Sequence, residues 1–274
     1  MRKKSKLKEI KKDLRASGVR PSRQRGQNFL IDDNILSEIV SFAKPSFEES
    51  IIEIGPGLGA LTEKLKSAEN LSLIEIEPEF CRQLKIKYPH AKIINRDARE
   101  VNFSKLGSDL LVFGNLPYVY STDIIFTLLD NRRYIKRAVL LLQKEFSERM
   151  AASPGGRDYG VLSVSLQLWA EVKLGAVVGG DSFHPATKVS SRIVQLDFLK
   201  ESRYPVRDFA ALKKLVKASF MQRRKKLANS LKGSGFYTAK QVSEALDLSA
   251  IDGARRAETL SILEFINLAE AITK

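Results

Sequence analysis

Ile51-Ile52-Glu53-Ile54-Gly55-Pro56-Gly57-Leu58-Gly59-Ala60-Leu61-Thr62 decides the fold. A short β-branched run ends in a glycine-rich turn, then opens into helix-forming residues from Leu61 to Ala68. In this strand–turn–helix setting a nucleotide lies against exposed backbone and the positive end of a helix. Leu71-Ser72-Leu73-Ile74-Glu75 follows as a second strand, ending in an acid about 20 residues on, as binding of ribose hydroxyls requires. Gly55-x-Gly57-x-x-Ala60 also fits the dinucleotide fingerprint. The glycines and Glu75 therefore establish nucleotide binding and leave NAD and other adenosine cofactors both open.

Further along, Ala91-Lys92-Ile93-Ile94-Asn95 runs into Arg96-Asp97-Ala98. That places a carboxylate at a third strand end, where it can accept from an adenine amino group. Leu110-Leu111-Val112-Phe113-Gly114 then delivers Asn115-Leu116-Pro117-Tyr118. The Asn115 amide oxygen and the Pro117 carbonyl can both accept from an exocyclic amine, while the face of Tyr118 can stack on a base. Alone, this tetrapeptide also reads as a proline turn with a half-buried tyrosine. Four successive strand ends carrying Gly55, Glu75, Asp97 and Asn115, however, define one crevice along the carboxyl edge of a parallel sheet.

From Gly26 onward the chain resembles the bacterial small-subunit (16S) ribosomal RNA adenine N6,N6-dimethyltransferases, the kasugamycin-resistance family. The likeness is carried by Gly26-Gln27-Asn28-Phe29-Leu30, Glu53-Ile54-Gly55-Pro56-Gly57, Gly114-Asn115-Leu116-Pro117-Tyr118 and Gln143-Lys144-Glu145. It continues in Asp158-Tyr159-Gly160-Val161-Leu162-Ser163, Phe183-His184-Pro185 and Gln222-Arg223-Arg224-Lys225. The resemblance implies a Rossmann-like S-adenosylmethionine-dependent methyltransferase sheet with helices on both faces, followed by a small all-helical domain. It implies S-adenosylmethionine as donor and S-adenosylhomocysteine as product. Two adjacent adenosines near the 3′ end of 16S RNA, in the small subunit or its precursor, would be the acceptors.

By the same resemblance, Asn28, Leu30, Gly55, Gly57, Glu75, Asp97 and Asn115 line the cofactor site. Asn115, Leu116, Pro117, Tyr118 and Phe183 form the catalytic group around the target base. The sequence departs from the family at Val119-Tyr120, where an Asn-Ile pair usually follows the tyrosine, and at Thr187, where a proline is common.

The chemistry can be argued from the residues. A sulfonium methyl needs no activation, so the task is to position a nucleophile in line with it. Adenine N6 is a poor nucleophile because its lone pair is delocalised into the ring. Acceptors for both N6 hydrogens favour the pyramidal amine and bind the transition state more tightly than the planar ground state. The base must leave its stack to reach such a pocket, and stacking on Tyr118 and Phe183 offsets the cost.

Charge and punctuation set the organisation. Net charge is +14. Basic residues crowd residues 1–25, including Arg23 and Arg25, and recur at Arg223-Arg224-Lys225-Lys226 and at Arg132-Arg133, Lys136 and Arg137. The first two clusters are read as RNA-binding, through phosphate contacts that weaken steeply with salt. Residues 1–25 are expected to be a flexible extension, 26–200 the methyltransferase domain, and 201–274 a helical RNA-binding domain. Ser121-Thr122 reads as a helix cap and Pro78 as a first-turn residue. Cys81 is the only cysteine and the two histidines lack ligand spacing, so no metal is expected. A cytoplasmic monomer with no membrane contact is the expectation. Two alternatives stand beside this reading: a 23S RNA adenine methyltransferase of the antibiotic-resistance type, and a catalytically silent RNA-binding or transcription factor on the same fold.

Overall fold

The structure, a computed structural model, describes residues 2–19, 27–46 and 48–273. The chain divides into two compact units, Met1–Ser147 with Glu171–Lys200, and Glu148–Ala170 with Glu201–Lys274.

The first unit begins with helix α1 (Arg2–Ser17), strand β1 (Phe29–Leu30) and helix α2 (Asp33–Ala43). Next come β2 (Ile51–Ile54), α3 (Thr62–Leu65), β3 (Leu71–Glu75), α4 (Pro78–Lys87), β4 (Lys92–Asn95), β5 (Leu110–Asn115), α5 (Ser121–Asp130) and β6 (Ile135–Gln143). Helix α6 (Lys144–Ala151) and helix α7 (Val161–Gln167) lead to β7 (Ala170–Val178), β8 (Phe183–His184) and β9 (Ser191–Phe198). Seven strands pair in the order β4-β3-β2-β5-β6-β9-β7. The β4-β3-β2-β5-β6 block is parallel, and β9 joins β6 antiparallel, with Gln143 opposite Ser191.

Parallel strands covered on both faces must be apolar throughout, and all four residues of β2 are accordingly buried. One face packs Ile51, Leu73, Leu111, Phe113, Val139 and Ile193 against Leu36 and Ile39 of α2. Helix α2 is capped by the Asp32 carboxylate, which accepts from the Asn34 N–H, and α4 begins with Pro78 at its first turn.

The N-terminal segment departs from expectation. Helix α1 is not an extension without core: Ile10 and Leu14 are buried with Ile31, Leu58 and Phe80, and Leu7 packs beside them. Leu7, Ile10 and Leu14 follow helical spacing, a stripe that the surrounding lysines obscure in composition. Arg23 and Arg25 lie outside the described residues.

The second unit contains α7 together with helices α8 (Phe209–Phe220), α9 (Leu227–Lys232), α10 (Ala239–Leu248) and α11 (Ile262–Ile272). Its core gathers Leu215, Phe220, Leu231, Val242, Leu260 and Phe265. Tyr159, Val164 and Leu168 pack into the same core, so residues 148–170 belong with this unit and not with the sheet, as a boundary at 200 would have them. The sequence gives no sign of this because a returning segment is contiguous with one domain in the chain and with the other in space. Helices α10 and α11 start with reciprocal capping boxes, Thr238 with Gln241 and Ser261 with Glu264. Among the described residues no helix is long and apolar enough to cross a membrane.

Candidate active site

The carboxyl ends of β2, β3, β4 and β5 open onto one cavity in the first unit. Asn28, Leu30, Gly55, Gly57, Glu75, Asp97, Asn115, Leu116, Pro117 and Tyr118 all line it. Four of the five stretches of sequence that supply these ten residues converge because parallel strands present their ends on the same edge; Asn28 and Leu30 come from the β1 segment. Ile10, Ile76, Ala98, Arg96 and Tyr120 are among the other residues of the wall. Ile76 and Ala98 went unread because an isolated apolar residue after a strand carries no signal of its own, whereas Tyr120 was marked only as a departure from the family. Ile76 is 49% exposed, an isoleucine left open beside the Glu75 carboxylate.

The glycine turn is held from below. The Gly57 N–H donates to Glu75 Oε2 at 2.9 Å and the Glu77 N–H to Glu75 Oε1 at 2.9 Å, fixing this carboxylate at the cavity edge. Burial raises the Glu75 pKa, while the Glu77 and Gly57 N–H groups oppose that rise. Gly57 has a positive φ of 55°, and a Cβ there would meet the Phe29 ring at 3.0 Å, so glycine serves both the turn and the close packing.

Glu53 lies one layer below, 2% exposed, with the Thr62 hydroxyl donating to its Oε2 at 2.6 Å. Burial, with a smaller contribution from the charge of Glu75, pushes its pKa up to about 8. Glu53 is thus a neutral hydrogen-bonded acid at physiological pH. In the unfolded chain it ionises in the ordinary carboxylate range, whereas the folded chain keeps its proton until about pH 8. Stability is therefore largest below the unfolded pKa and falls as pH rises through this window. Glu53→Gln keeps an acceptor for Thr62 without the ionisation. It is expected to flatten this decline, with a higher urea midpoint than wild type at pH 8.5 and a similar one at pH 4.5. Parallel pH slopes for the two proteins would show Glu53 to be ionised.

At the end of β5 the side chains are oriented by partners far away in sequence. Asn115 Nδ2 donates to the Asn28 carbonyl at 2.9 Å, which commits the nitrogen and leaves Oδ1 as the acceptor. The Tyr118 hydroxyl and Ser191 Oγ are 2.7 Å apart, and Ser191 is fully buried on β9. Ser191 was not read from the sequence, since nothing at residue 191 marks it as a neighbour of residue 118. Ser191→Ala and Tyr118→Phe remove the same bond. Each is expected to lower kcat/KM roughly fivefold in steady-state assays, and the double variant to lose no more. Independent, multiplying losses would show that this bond does not orient the ring.

Three expectations need correction. The Pro117 carbonyl is not a free acceptor: it receives the Tyr120 N–H at 3.0 Å and the Ser121 hydroxyl at 3.1 Å, which fill its two lone pairs. Ser121 is therefore not a helix cap; Tyr120 occupies that position without a side-chain bond. Phe183 does not face the cavity. It is 2% exposed, paired with Leu30 across the two-stranded β1–β8 sheet and packed in the core, so it supports Leu30 from behind. At Thr187, the N–H donates to the Gly180 carbonyl at 3.2 Å, a bond that proline could not make.

In the helical unit, Arg223 is occupied structurally. Its Nη2 donates to the Arg157 and Tyr159 carbonyls, each at 2.6 Å. Arg224, Lys225 and Lys226 are exposed. Of the third basic cluster, Lys136 pairs with Glu49 at 2.7 Å and Arg137 with Asp197 at 2.5 Å.

A parallel sheet closed by an antiparallel strand, with a nucleotide crevice along its carboxyl edge, places the protein in the Rossmann-like methyltransferase class. Residues 20–274 match the family model for ribosomal RNA adenine dimethylase, and the chain belongs to that family. Ribosomal RNA small subunit methyltransferase A of Geobacter metallireducens is 39% identical over 269 residues, covering 94% of this chain and 98% of that protein. The crystal structure of a dimethyladenosine transferase from Plasmodium falciparum superposes with a TM-score of 0.76 at 27% identity, covering 88% of this chain and 95% of that one. The 23S rRNA methyltransferase ErmE shares the fold, with a TM-score of 0.65 at 24% identity, covering 90% of this chain and 100% of that one.

Proposed function

We propose that the protein transfers methyl groups from S-adenosylmethionine to N6 of two adjacent adenosines near the 3′ end of 16S RNA, within the small subunit or its precursor. One observation carries this reading: Asn115, its Nδ2 donating to the Asn28 carbonyl so that Oδ1 is left to accept, lines the same cavity as the glycine turn and Glu75. The cavity fits the donor. Glu75 offers a carboxylate edge to ribose hydroxyls and Ile76 an open apolar face for the adenine ring, with Asp97, its oxygens engaged by Arg99, at the adenine end. When bound, S-adenosylmethionine supplies a sulfonium methyl that needs no further activation.

Asn115 Oδ1 accepts one N6 hydrogen of the target adenine. The Pro117 carbonyl accepts the second once the Ser121 hydroxyl, which now fills that lone pair, rotates away. Together they favour the pyramidal amine and expose its lone pair. Tyr118, anchored on Ser191, gives the flipped base one stacking face. The attacking nitrogen becomes cationic and sheds a proton to solvent, so no general base is required. Arg224, Lys225 and Lys226 supply phosphate contacts from the helical unit, and the work is done in the cytoplasm, where ribosomal RNA is assembled.

Small-subunit RNA is favoured over 23S RNA by a relative 39% identical over nearly the whole chain, whereas the likeness to ErmE, at 24% identity, is one of fold. Incubation with labelled S-adenosylmethionine and unmethylated small subunits, large subunits or naked RNA tests donor, polymer and position together. Label at paired adenosines of 16S RNA, mapped by primer-extension stops, is the expected result. Label confined to large-subunit RNA would overturn the choice of substrate, and absence of label would favour a silent RNA-binding protein.

A further inference from the structure

The cavity wall carries one built feature that the reaction described above does not use. Arg99 folds back on Asp97: its backbone N–H donates to Oδ1 at 2.9 Å, Nε lies 3.0 and 3.1 Å from Oδ1 and Oδ2, and Nη2 donates to Oδ2 at 2.6 Å. The same guanidinium lies over the Tyr120 ring, 4.5 Å from its centroid, and Nη1 reaches Asp123 at 3.5 Å. Asp97 follows β4 and Tyr120 follows β5, and both line the cavity. A planar cation is suited to this double role, pairing in its plane with a carboxylate while offering its face to a ring. An exposed ion pair on an ordinary surface would contribute little. Here both partners of the arginine are cavity wall.

We infer that Arg99 and Tyr120 form a clasp that determines affinity for the nucleoside end of the cofactor. The inference rests on the reading of S-adenosylmethionine as the donor. Arg99, anchored on the Asp97 carboxylate, fixes the Tyr120 ring as a wall for the adenosine. The clasp belongs to the nucleoside end because its anchor, Asp97, lies beyond Glu75 in the strand order β4-β3-β2-β5, on the side away from Asn115.

Calorimetric titration without RNA tests this, using S-adenosylhomocysteine and 5′-methylthioadenosine, which lacks the amino-acid tail. Tyr120→Ala is expected to weaken both ligands about tenfold, and Arg99→Ala about threefold. The double variant should bind no more weakly than Tyr120→Ala, because the arginine acts through the ring. Tyr120→Phe retains the face and should bind like wild type. Tyr120→Ile, which keeps an apolar side chain at the position, shows the same loss as alanine and covers the case of a poorly folded alanine variant. Wild-type protein that binds neither ligand would overturn the donor reading itself. Wild-type binding, with Tyr120→Ala and Tyr120→Ile within twofold of it, would overturn the clasp alone. So would a loss seen with S-adenosylhomocysteine but not with 5′-methylthioadenosine, or a rise confined to the KM for RNA.

Discussion

Asn115→Ala lowers kcat by about 10²–10³-fold at saturating donor and RNA, with a much smaller change in RNA affinity. The expected size follows from removing one preorganised acceptor whose interaction strengthens as the amine pyramidalises, comparable to the loss of an oxyanion-hole donor. Because Nδ2 is already donated to the Asn28 carbonyl, the side chain reaches the transition state with its oxygen in place and pays no reorientation. Asn115→Asp is a sharper probe. It keeps the acceptor but sets a carboxylate against the Asn28 carbonyl, two acceptors with no proton between them, and the loss should be comparable to that of alanine. Single-turnover measurements of methyl transfer separate the chemical step from binding and product release. If Asn115→Ala turned over at the wild-type rate under saturation, the amide would be scaffolding and the proposed chemistry would be wrong.

Gly59→Ala destabilises the first unit by about 3 kcal/mol, from about 1–2 kcal/mol of left-handed backbone strain and a similar overpacking cost. Gly59 has φ of 82°, and an added Cβ would lie 2.8 Å from Tyr88 Cε2 and 2.9 Å from its hydroxyl. Tyr88 cannot retreat cheaply: it is 2% exposed, and its hydroxyl donates to the Gly59 carbonyl at 2.9 Å and lies 3.2 Å from Glu63 Oε2. Gly155 is the control, with φ of 89° and nothing within 4 Å of an added Cβ. Gly155→Ala therefore reports backbone strain alone and should cost about 1 kcal/mol. Urea unfolding measures both. Equal losses at the two positions would show that Tyr88 yields and that the turn is not pinned by it. Gly55, Gly57, Leu58 and Ala60 of the same turn line the cavity, so under the proposed function Gly59→Ala should also weaken binding of S-adenosylhomocysteine.

Much of the site was legible because parallel strands advertise themselves. An apolar run long enough for one buried strand, followed by a polar or glycine residue, marks both the strand and the place where its end opens. Gly55, Glu75, Asp97 and Asn115 each follow such a run, and the structure brings all four to one cavity. The late helices were equally plain, since Leu212, Leu215, Val216 and Phe220 repeat at helical spacing and are buried. Helix α1 was readable in principle from Leu7, Ile10 and Leu14, but the lysines around them dominated the reading.

What remained hidden is pairwise. Ser191 reaches the Tyr118 hydroxyl only because β9 runs antiparallel to β6 and brings its first residue there. Phe183 followed a motif into the expected neighbourhood, yet its pairing with Leu30 turns it into the core. The saturation of the Pro117 carbonyl depends on how the chain turns after Tyr118, and the structural use of Arg223 on where residues 148–170 return. The sequence by itself determined the sheet, its crevice and the chemical types along the rim, because strand periodicity and strand-end residues are local properties. Only the tertiary structure decided which rim groups are free to act, because a donor or acceptor is available only if no distant residue has already claimed it.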